Sequence, residues 1–562
     1  VIDVEGHGRA EELAEDVDLS QTVGWFTSKY PVALRLARTD WNQIVSGGFA
    51  LGELVKDAKE QLRRHPDGLT YGLLRYLNPQ AGLDGPDPVI GFNYLGRVDT
   101  ASNNNPREAW RLDPDDHAAT VAAAIDMPLM HTLEVNAATV DTPAGPRLRA
   151  GWTWARSALT DSDVAHLNRL WFDTLTALVE HVRHGGGGLT PSDVAAPLTQ
   201  QQIDELCAGQ RVSDILPLTP LQHGLLFHAA VGREAGDDAY VTQQVIGLRG
   251  VVDVGRLADA VQVVGARYPH VLARFSDRFE QPVQIVPADA RVPWRYLDLA
   301  GSADAAGELD RVCAAERAAV CDLADAAPLR VVLARVGADE FRFVLTNHHI
   351  VLDGWSLPIL LGEVFAVYQG RRLGPVVPFR RFVTWLAGRD EAAGLRAWAQ
   401  VLGGLDAPTL VGPPDRVGVG SRGVLRARVD AGLTAAVGRL ARVCQATPAQ
   451  VLQAVFGLVL ASVTGQRDVV FGTTVSGRPA ELVGAESMVG LLINTVPVRV
   501  RLDDAGSAAE LLGRLRADQA VTLEHQHVAL PQLHRLVGQE QLFDTLFVYE
   551  NYPLDPAALT DD

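Results

Sequence analysis

The chain has 562 residues, a formal net charge of −18 and 47% hydrophobic residues. Its acidic balance argues against nucleic acid or an anionic membrane as the main partner, and its length predicts roughly three or four compact units of about 150 residues each. The four cysteines, Cys207, Cys313, Cys321 and Cys444, form no C-x-x-C pair, which speaks against a structural zinc site or a disulfide framework. There is no charged-then-apolar leader, and the longest apolar helix candidate, Val451 to Val463, is short of the ~20 residues a membrane span needs. It reads as a core helix of a cytoplasmic protein.

The first stretch, Val4-Glu5-Gly6-His7-Gly8-Arg9, sets three polar side chains among glycines. It is either a polar site that the backbone lets a ligand approach closely or a turn with solvated charges. Next come Thr22-Val23-Gly24-Trp25-Phe26 and an extended run to Leu36, then an amphipathic helix over Leu51 to Arg64. Val89 to Asn93 reads as a strand leading into Tyr94-Leu95-Gly96. His131 to Val140 and Arg147 to Trp154 read as paired strands across a Pro-Gly turn, and a helix over Ser162 to His181 closes the unit.

Gly185 to Gly188 and Leu189-Thr190-Pro191 break that helix, and a flexible Gly run punctuated by Pro predicts a domain boundary. The linker is expected over 185–212, with a short helix at Leu198 to Leu206. Beyond it, Leu218-Thr219-Pro220-Leu221-Gln222 enters an apolar helix. A strand at Val241 to Gly247, a helix at Val254 to Arg267, and adjacent strands at Leu329 to Val336 and Phe341 to Thr346 follow. A second lobe is expected from about Phe379-Arg380-Arg381-Phe382, with helices at Leu433 to Ala446 and Pro448 to Thr464 and a strand at Asp468 to Phe471.

The stretch with most chemical content is His348-His349-Ile350-Val351-Leu352-Asp353-Gly354-Trp355-Ser356, between an alternating strand and a helix with an apolar face over Leu357 to Tyr368. Adjacent residues at a strand end point to opposite sides, so the two histidines do not suit one metal, and no H-E-x-x-H is present. One imidazole is then left for the fold and one for a cleft. Histidine, with an ordinary pKa of ~6.5, suits a base near neutral pH.

These motifs resemble two neighbouring domains of nonribosomal peptide synthetases. Glu-Gly-His-Gly-Arg, Thr-Val-Gly-Trp-Phe-Thr-x-x-Tyr-Pro and Phe-Asn-Tyr-Leu-Gly occur in this order in epimerization domains, so residues 1–184 look like the C-terminal part of one. By that resemblance Glu5 is an acid/base acting on the α-proton of a carrier-bound thioester, with Arg9, Asn93 and Tyr94 near the site. Ala10 departs from the family, which usually has a second glutamate there. The family's own His-His-x-x-x-Asp-Gly does not precede Glu5 in this chain. Proton transfer in both directions across a stereocentre wants two positioned groups, so the expectation is that this unit does not epimerize.

Residues 213–562 resemble a condensation domain, with lobes expected over 213–385 and 386–562. The resemblance implies a mixed α/β (α+β), chloramphenicol acetyltransferase-like two-lobed fold, so that one partial copy precedes one nearly complete copy. It implies a tunnel between the lobes, entered by phosphopantetheine arms of peptidyl carrier domains. No cofactor is bound by the chain itself, and the partners are the carriers and an adenylation domain. His349 would assist attack of the acceptor amine as base or by positioning it, and His348 would be structural. The Gly354 amide would be an oxyanion donor, a preorganised dipole of the sort acyl transfer uses. Asp353 would anchor an ion pair, and Asn494, Trp355 and Ser356 would lie at the site. The family's usual basic residue is replaced by Leu272 in Arg267-Tyr268-Pro269-His270-Val271-Leu272-Ala273-Arg274-Phe275, so either Arg274 or Arg499 pairs with Asp353 or the loop is less well anchored.

Leu352 and Phe543-Asp544-Thr545-Leu546-Phe547-Val548-Tyr549-Glu550-Asn551-Tyr552-Pro553 look like the subtype taking a D-residue at the donor end and an L-acceptor. Alternative readings are a catalytically impaired relative that recruits partners to carriers, or a stand-alone acyltransferase. Phe92 to Gly96 and Phe547 to Asn551 look like equivalent places in two copies of one fold. On that repeat logic the second copy lacks roughly 90 residues and the chain is a fragment of a larger synthetase.

Overall fold

The computed structural model describes residues 1–9, 11, 17–65, 68–98, 129–142, 145–235, 240–412, 423–503 and 506–550. Ala10 and the Asn551-Tyr552-Pro553 end of the last motif lie outside the described residues. The chain divides into two compact units at Ser192/Asp193, inside the expected linker.

In the first unit β1 (Ile2–Gly6) and β2 (Ser28–Val32) precede α1 (Trp41–Val45), α2 (Phe49–Arg63) and α3 (Leu69–Leu77). β3 (Ile90–Val98), β4 (Leu133–Thr142), β5 (Gly145–Trp154) and α4 (Asp161–Arg183) follow. The strands form one sheet in the order β2-β1-β3-β4-β5. β4 alternates, with Leu133, Val135 and Ala137 buried, as a strand with one packed face requires. Thr160 starts α4 with a capping box against Asp163.

The second unit opens with α5 (Gln200–Cys207), which lies within the expected linker and has its own capping box at Thr199. Then come β6 (Val212–Pro217), α6 (Pro220–Ala235), β7 (Val241–Arg249), α7 (Val254–Arg267), β8 (Arg274–Ser276), β9 (Val283–Pro287), β10 (Trp294–Asp298), α8 (Ala305–Ala319), β11 (Leu329–Arg335) and β12 (Glu340–His348). The chain continues through α9 (Ser356–Tyr368), α10 (Phe379–Ala387), α11 (Glu391–Leu402), α12 (Ala431–Val443) and α13 (Pro448–Thr464). β13 (Asp468–Val475), β14 (Asn494–Arg501), α14 (Ala508–Thr522), α15 (Leu530–Val537) and β15 (Leu546–Phe547) complete it. The sheets are β10-β11-β12-β7, β6-β9-β8 and β14-β13-β15.

The segment Met488 to Leu492 joins the two halves of this unit. Val489 and Leu491 belong to the core built on α7, β11, β12 and α9, while Met488 and Leu492 pack with Phe379, Phe382 and Val383 of α10. Leu272 is buried in the first of these cores. It is a packing residue where the resemblance implies a cation.

α13 departs from its sequence reading. Val451, Ala454, Gly457 and Leu460 are buried, but Val455, Leu458, Val459 and Val463 on the other face are exposed, so only one face is core. Among the described residues no single helix is long and apolar enough to cross a membrane; α12 and α13 pass that test only together, as a pair bent by 102°.

The two units repeat one arrangement. Gly6 pairs with Ser28 across β1 and β2, and Val475 with Asn494 across β13 and β14. Val4 pairs in parallel with Phe92, and Thr473 with Phe547. This register makes Gly8 the counterpart of Gly477, Arg9 of Arg478 and Phe26 of Leu492.

Candidate active site

The end of β12 is held from both sides. The His348 N–H donates to the Pro328 carbonyl and the His349 N–H to that of Tyr240, each at 2.8 Å. The chain then turns into a one-turn helix, His349–Val351, and the fully buried His348 ring caps it: Nδ1 accepts the Ile350 N–H at 3.0 Å. His348 is thus spent on the fold. From α6, the Gln222 amide donates to the Ile350 carbonyl at 2.9 Å while its oxygen accepts the Thr219 N–H at 2.9 Å. The Thr-Pro-Leu-Gln motif therefore braces the histidine loop.

His349 is half-buried at the start of that turn. Burial lowers its pKa, against weaker pulls from its own main chain and from Asp353, and His348 adds the smallest push downward. The lowered value keeps the imidazole unprotonated at neutral pH, the form that can accept a proton.

Asp353 is fully buried and accepts four hydrogen bonds among the described residues. Oδ1 takes the Ser356 N–H at 2.8 Å and Arg478 Nη2 at 3.3 Å; Oδ2 takes Arg478 Nη1 at 3.0 Å and the Leu492 N–H at 3.0 Å. The expected partners were the wrong arginines. Arg499 is committed to Asp468 and to the carbonyls of Val401, Gly403 and Gly404. Arg274 lies in β8, paired with Ile285 of β9. Arg478, from Ser476-Gly477-Arg478-Pro479, anchors the loop instead. Its signal was in the sequence, in the match of Gly-Arg here to Gly8-Arg9.

Ser356 is equally committed. Its Oγ donates to the Gly490 carbonyl at 2.9 Å and accepts from the Gly490 N–H and from Arg478 Nη2, each at 3.0 Å. Trp355 Nε1 donates to the Glu486 carbonyl at 3.0 Å, and Arg478 lies over its ring at 5.5 Å. Gly354 is half-buried in the turn between Asp353 and α9. Buried Asn494 donates through Nδ2 to the carbonyls of Gln526 at 2.8 Å and Val528 at 3.0 Å, a clamp on the backbone. Asn494 and Arg478 line a cavity of about 420 Å³ that His349 does not line.

In the first unit Glu5 faces Lys29 on one neighbouring strand and Asn93 on the other. These three share a small polar pit with Asp3, His131 and Glu134. His131 bridges two carboxylates: Nε2 is 2.9 Å from Asp3 Oδ2 and Nδ1 is 2.9 Å from Glu134 Oε1, and Lys29 Nζ is 3.3 Å from Asp3. Burial opposes the charged ring, but the hydrogen bonds to Glu134 and Asp3 win and raise its pKa. This cluster was not legible beforehand, because 128 residues separate its members. Tyr94 points elsewhere: it is half exposed, with its hydroxyl 2.9 Å from Thr139 Oγ1. Arg9 bonds the carbonyls of Leu19 and Thr22, the latter at 2.7 Å, and stacks on Phe26. Arg478 makes the counterpart bond to the Met488 carbonyl at 3.1 Å. Among the described residues no group of three His, Cys, Asp or Glu side chains is placed to hold a metal ion.

Residues 212–562 match the family described as the condensation domain. The chain belongs to that family. Chondramide synthase of Chondromyces crocatus is 34% identical over 99% of the chain, and bacitracin synthase 3 of Bacillus licheniformis is 32% identical over 99% of it. The chain spans only 15% and 9% of those two relatives. The crystal structure of holo T3CT shares the fold at 21% identity and a TM-score of 0.51, over 64% of this chain and 82% of that one. The fold is therefore the mixed α/β, chloramphenicol acetyltransferase-like one of condensation domains.

Proposed function

We propose that residues 212–562 form a peptide bond between two carrier-tethered substrates in nonribosomal peptide synthesis. The acceptor's α-amine attacks the donor's thioester carbonyl: the C–N bond forms, the C–S bond breaks, an amine proton passes to His349, and the thiolate leaves and is reprotonated. The observation that carries this reading is the geometry around half-buried His349, with His348 capping its turn and Arg478 fixing Asp353 four residues on. The Gly354 amide, in the turn after Asp353, is the oxyanion donor in this reading.

The substrates arrive on phosphopantetheine arms of peptidyl carrier domains charged by adenylation domains. The donor ends in a D-residue, and the acceptor is an L-aminoacyl group. Two features support the stereochemistry: the motif from Phe543 onward, and an upstream unit that resembles an epimerization domain, with Glu5 and Asn93 side by side on neighbouring strands. In that unit Glu5 is the acid/base, and a second proton-transfer group is required for turnover.

The test is product formation from chemically loaded donor and acceptor carriers, comparing wild type with His349→Ala and D- with L-ending donors. Loss of product in the variant and preference for the D-donor are expected. Equal product from wild type and His349→Ala overturns the role of His349, and an L-donor preference overturns the subtype.

A further inference from the structure

The strand that delivers the two histidines breaks its hydrogen-bonding pattern at one place. β11 and β12 run antiparallel, with Arg330 opposite Thr346 and Leu329 opposite Asn347. One step further the same register sets Pro328 opposite His348, and the His348 N–H donates to the Pro328 carbonyl at 2.8 Å. A pair bonded in this way exchanges two bonds, each N–H meeting the other residue's carbonyl. Proline has no N–H, so this side of the ladder gives the His348 carbonyl no bond in return. His348 is fully buried, and a buried carbonyl needs a donor. This carbonyl is half of the peptide that joins His348 to His349.

Asn347 supplies a donor. Its Nδ2 donates to the His348 carbonyl at 3.2 Å, and its Oδ1 accepts the hydroxyl of Thr242, on β7, at 2.9 Å. The two contacts also decide which way the amide faces, because a carbonyl can only accept. Asn347 is 2% exposed and continues the face of β12 on which Phe341, Phe343 and Leu345 belong to the apolar core. A buried amide at such a place costs free energy unless it is hydrogen-bonded, and here both its ends are. On the β7 side the His349 N–H donates to the Tyr240 carbonyl at 2.8 Å. The peptide between the histidines is thus gripped twice, at its N–H by β7 and at its carbonyl by Asn347.

We propose that Asn347, braced by Thr242, is a positioning residue for His349. It fixes the plane of the His348–His349 peptide, and with it the direction in which the His349 ring leaves the backbone. The part His349 plays in the reaction rests on the condensation reading; the bonds around the peptide do not. A reacting group displaced by about 1 Å can lose about a hundredfold in rate. Loss of this one amide should therefore be felt in turnover and not in the binding of either carrier.

The experiment compares wild type, Asn347→Leu and the double variant Asn347→Leu with Pro328→Ala in product formation from loaded carriers, with urea midpoints measured alongside. Leucine fills the space of the asparagine and extends the apolar face, but donates nothing. Asn347→Leu should lower kcat by about tenfold or more with KM little changed. Pro328→Ala returns an N–H opposite the His348 carbonyl, so the double variant should recover most of the lost kcat. A merely structural asparagine predicts a loss that follows the urea midpoint, with no such rescue. Wild-type kcat in Asn347→Leu overturns the proposal, and so does a loss that Pro328→Ala leaves unrepaired. If Asn347→Leu does not fold, Thr242→Ser should keep kcat and Thr242→Val should lower it, and equal rates overturn the proposal. If wild type makes no product at all, the condensation reading fails separately. NMR of the chain with isotope-labelled histidines then follows the His349 amide proton alone. Its exchange with solvent should quicken in Asn347→Leu and slow again in the double variant, and equal exchange in all three overturns the proposal.

Discussion

Arg478 reaches Asp353 across 125 residues of sequence, with Nη1 3.0 Å from Oδ2 and Nη2 3.3 Å from Oδ1. Neither side chain meets solvent appreciably, at 5% and 0% exposed. Removing one partner of such a pair leaves an uncompensated buried charge, at a cost of about 3–5 kcal/mol. Arg478→Met should lower stability by that much in urea denaturation and remove activity with it. The double variant Arg478→Met with Asp353→Leu should recover part of the stability but not the activity. Arg478→Met as stable as wild type would show that the pair is not the anchor.

The two histidines should separate cleanly. His349→Ala removes a half-buried ring that makes no structural bond through its side chain to another residue among those described, so it should abolish product with little effect on stability. His348→Ala removes the cap of the one-turn helix and a fully buried ring, so it should destabilise the fold by about 2–4 kcal/mol. Denaturation midpoints read beside product yields decide this, and a folded, inactive His348→Ala would reverse the assignment.

The same burial sets the pH dependence. On the proposed reading the active form of His349 is unprotonated, and its pKa is lowered from the ordinary 6.5 by burial. As pH falls through 6.5 the ring therefore stays neutral, and activity should fall only below that value. A pH profile of kcat/KM reports the ionisation in the free enzyme. An acid limb centred at or above 6.5 would mean that His349 is not the titrating base.

Much of this site is local in sequence, and that part was readable. A strand ending in His-His, a turn, and an apolar helix lie within about thirty residues, and periodicity alone places them. The anchor of Asp353 is different. Arg274 is suggested only by standing two residues from Leu272, and nothing local in sequence singles out one distant arginine, whereas the partner comes from a loop whose geometry is set by Gly477 and the Leu492 carbonyl. The Asp3–His131–Glu134 cluster was hidden for the same reason: its members meet only when β1, β3 and β4 line up in one sheet.

The repeat between the units predicts paired sensitivities. Gly8 and Gly477 both have positive φ, +63° and +61°, and an added Cβ would stand 1.6 Å from the Phe26 carbonyl oxygen and 1.7 Å from that of Leu492. The left-handed conformation alone costs an L-residue about 1–2 kcal/mol, and the backbone clash adds to it. Gly8→Ala should destabilise the first unit and Gly477→Ala the second, each by more than about 2 kcal/mol. Hydrogen exchange should localise the loss to β1 and β2 in one case and to β13 and β14 in the other. A tolerated Gly477→Ala would break the equivalence.

His131 gives the first unit a stability that depends on pH in a definite direction. Its ring lies between the carboxylates of Asp3 and Glu134, with Lys29 as the opposing charge, and its folded pKa is raised above 6.5. The protonated ring is the form the fold prefers. Its contribution is therefore fully present below pH 6.5 and is lost as pH rises through the raised value. Protection of the β1 and β4 amides, corrected for intrinsic exchange, should decline over that window in wild type. In His131→Gln protection should be lower at about pH 6 and flat across the same range, because glutamine bonds both carboxylates poorly and does not titrate. Parallel curves for wild type and variant would mean that the two carboxylates do not hold a charged ring.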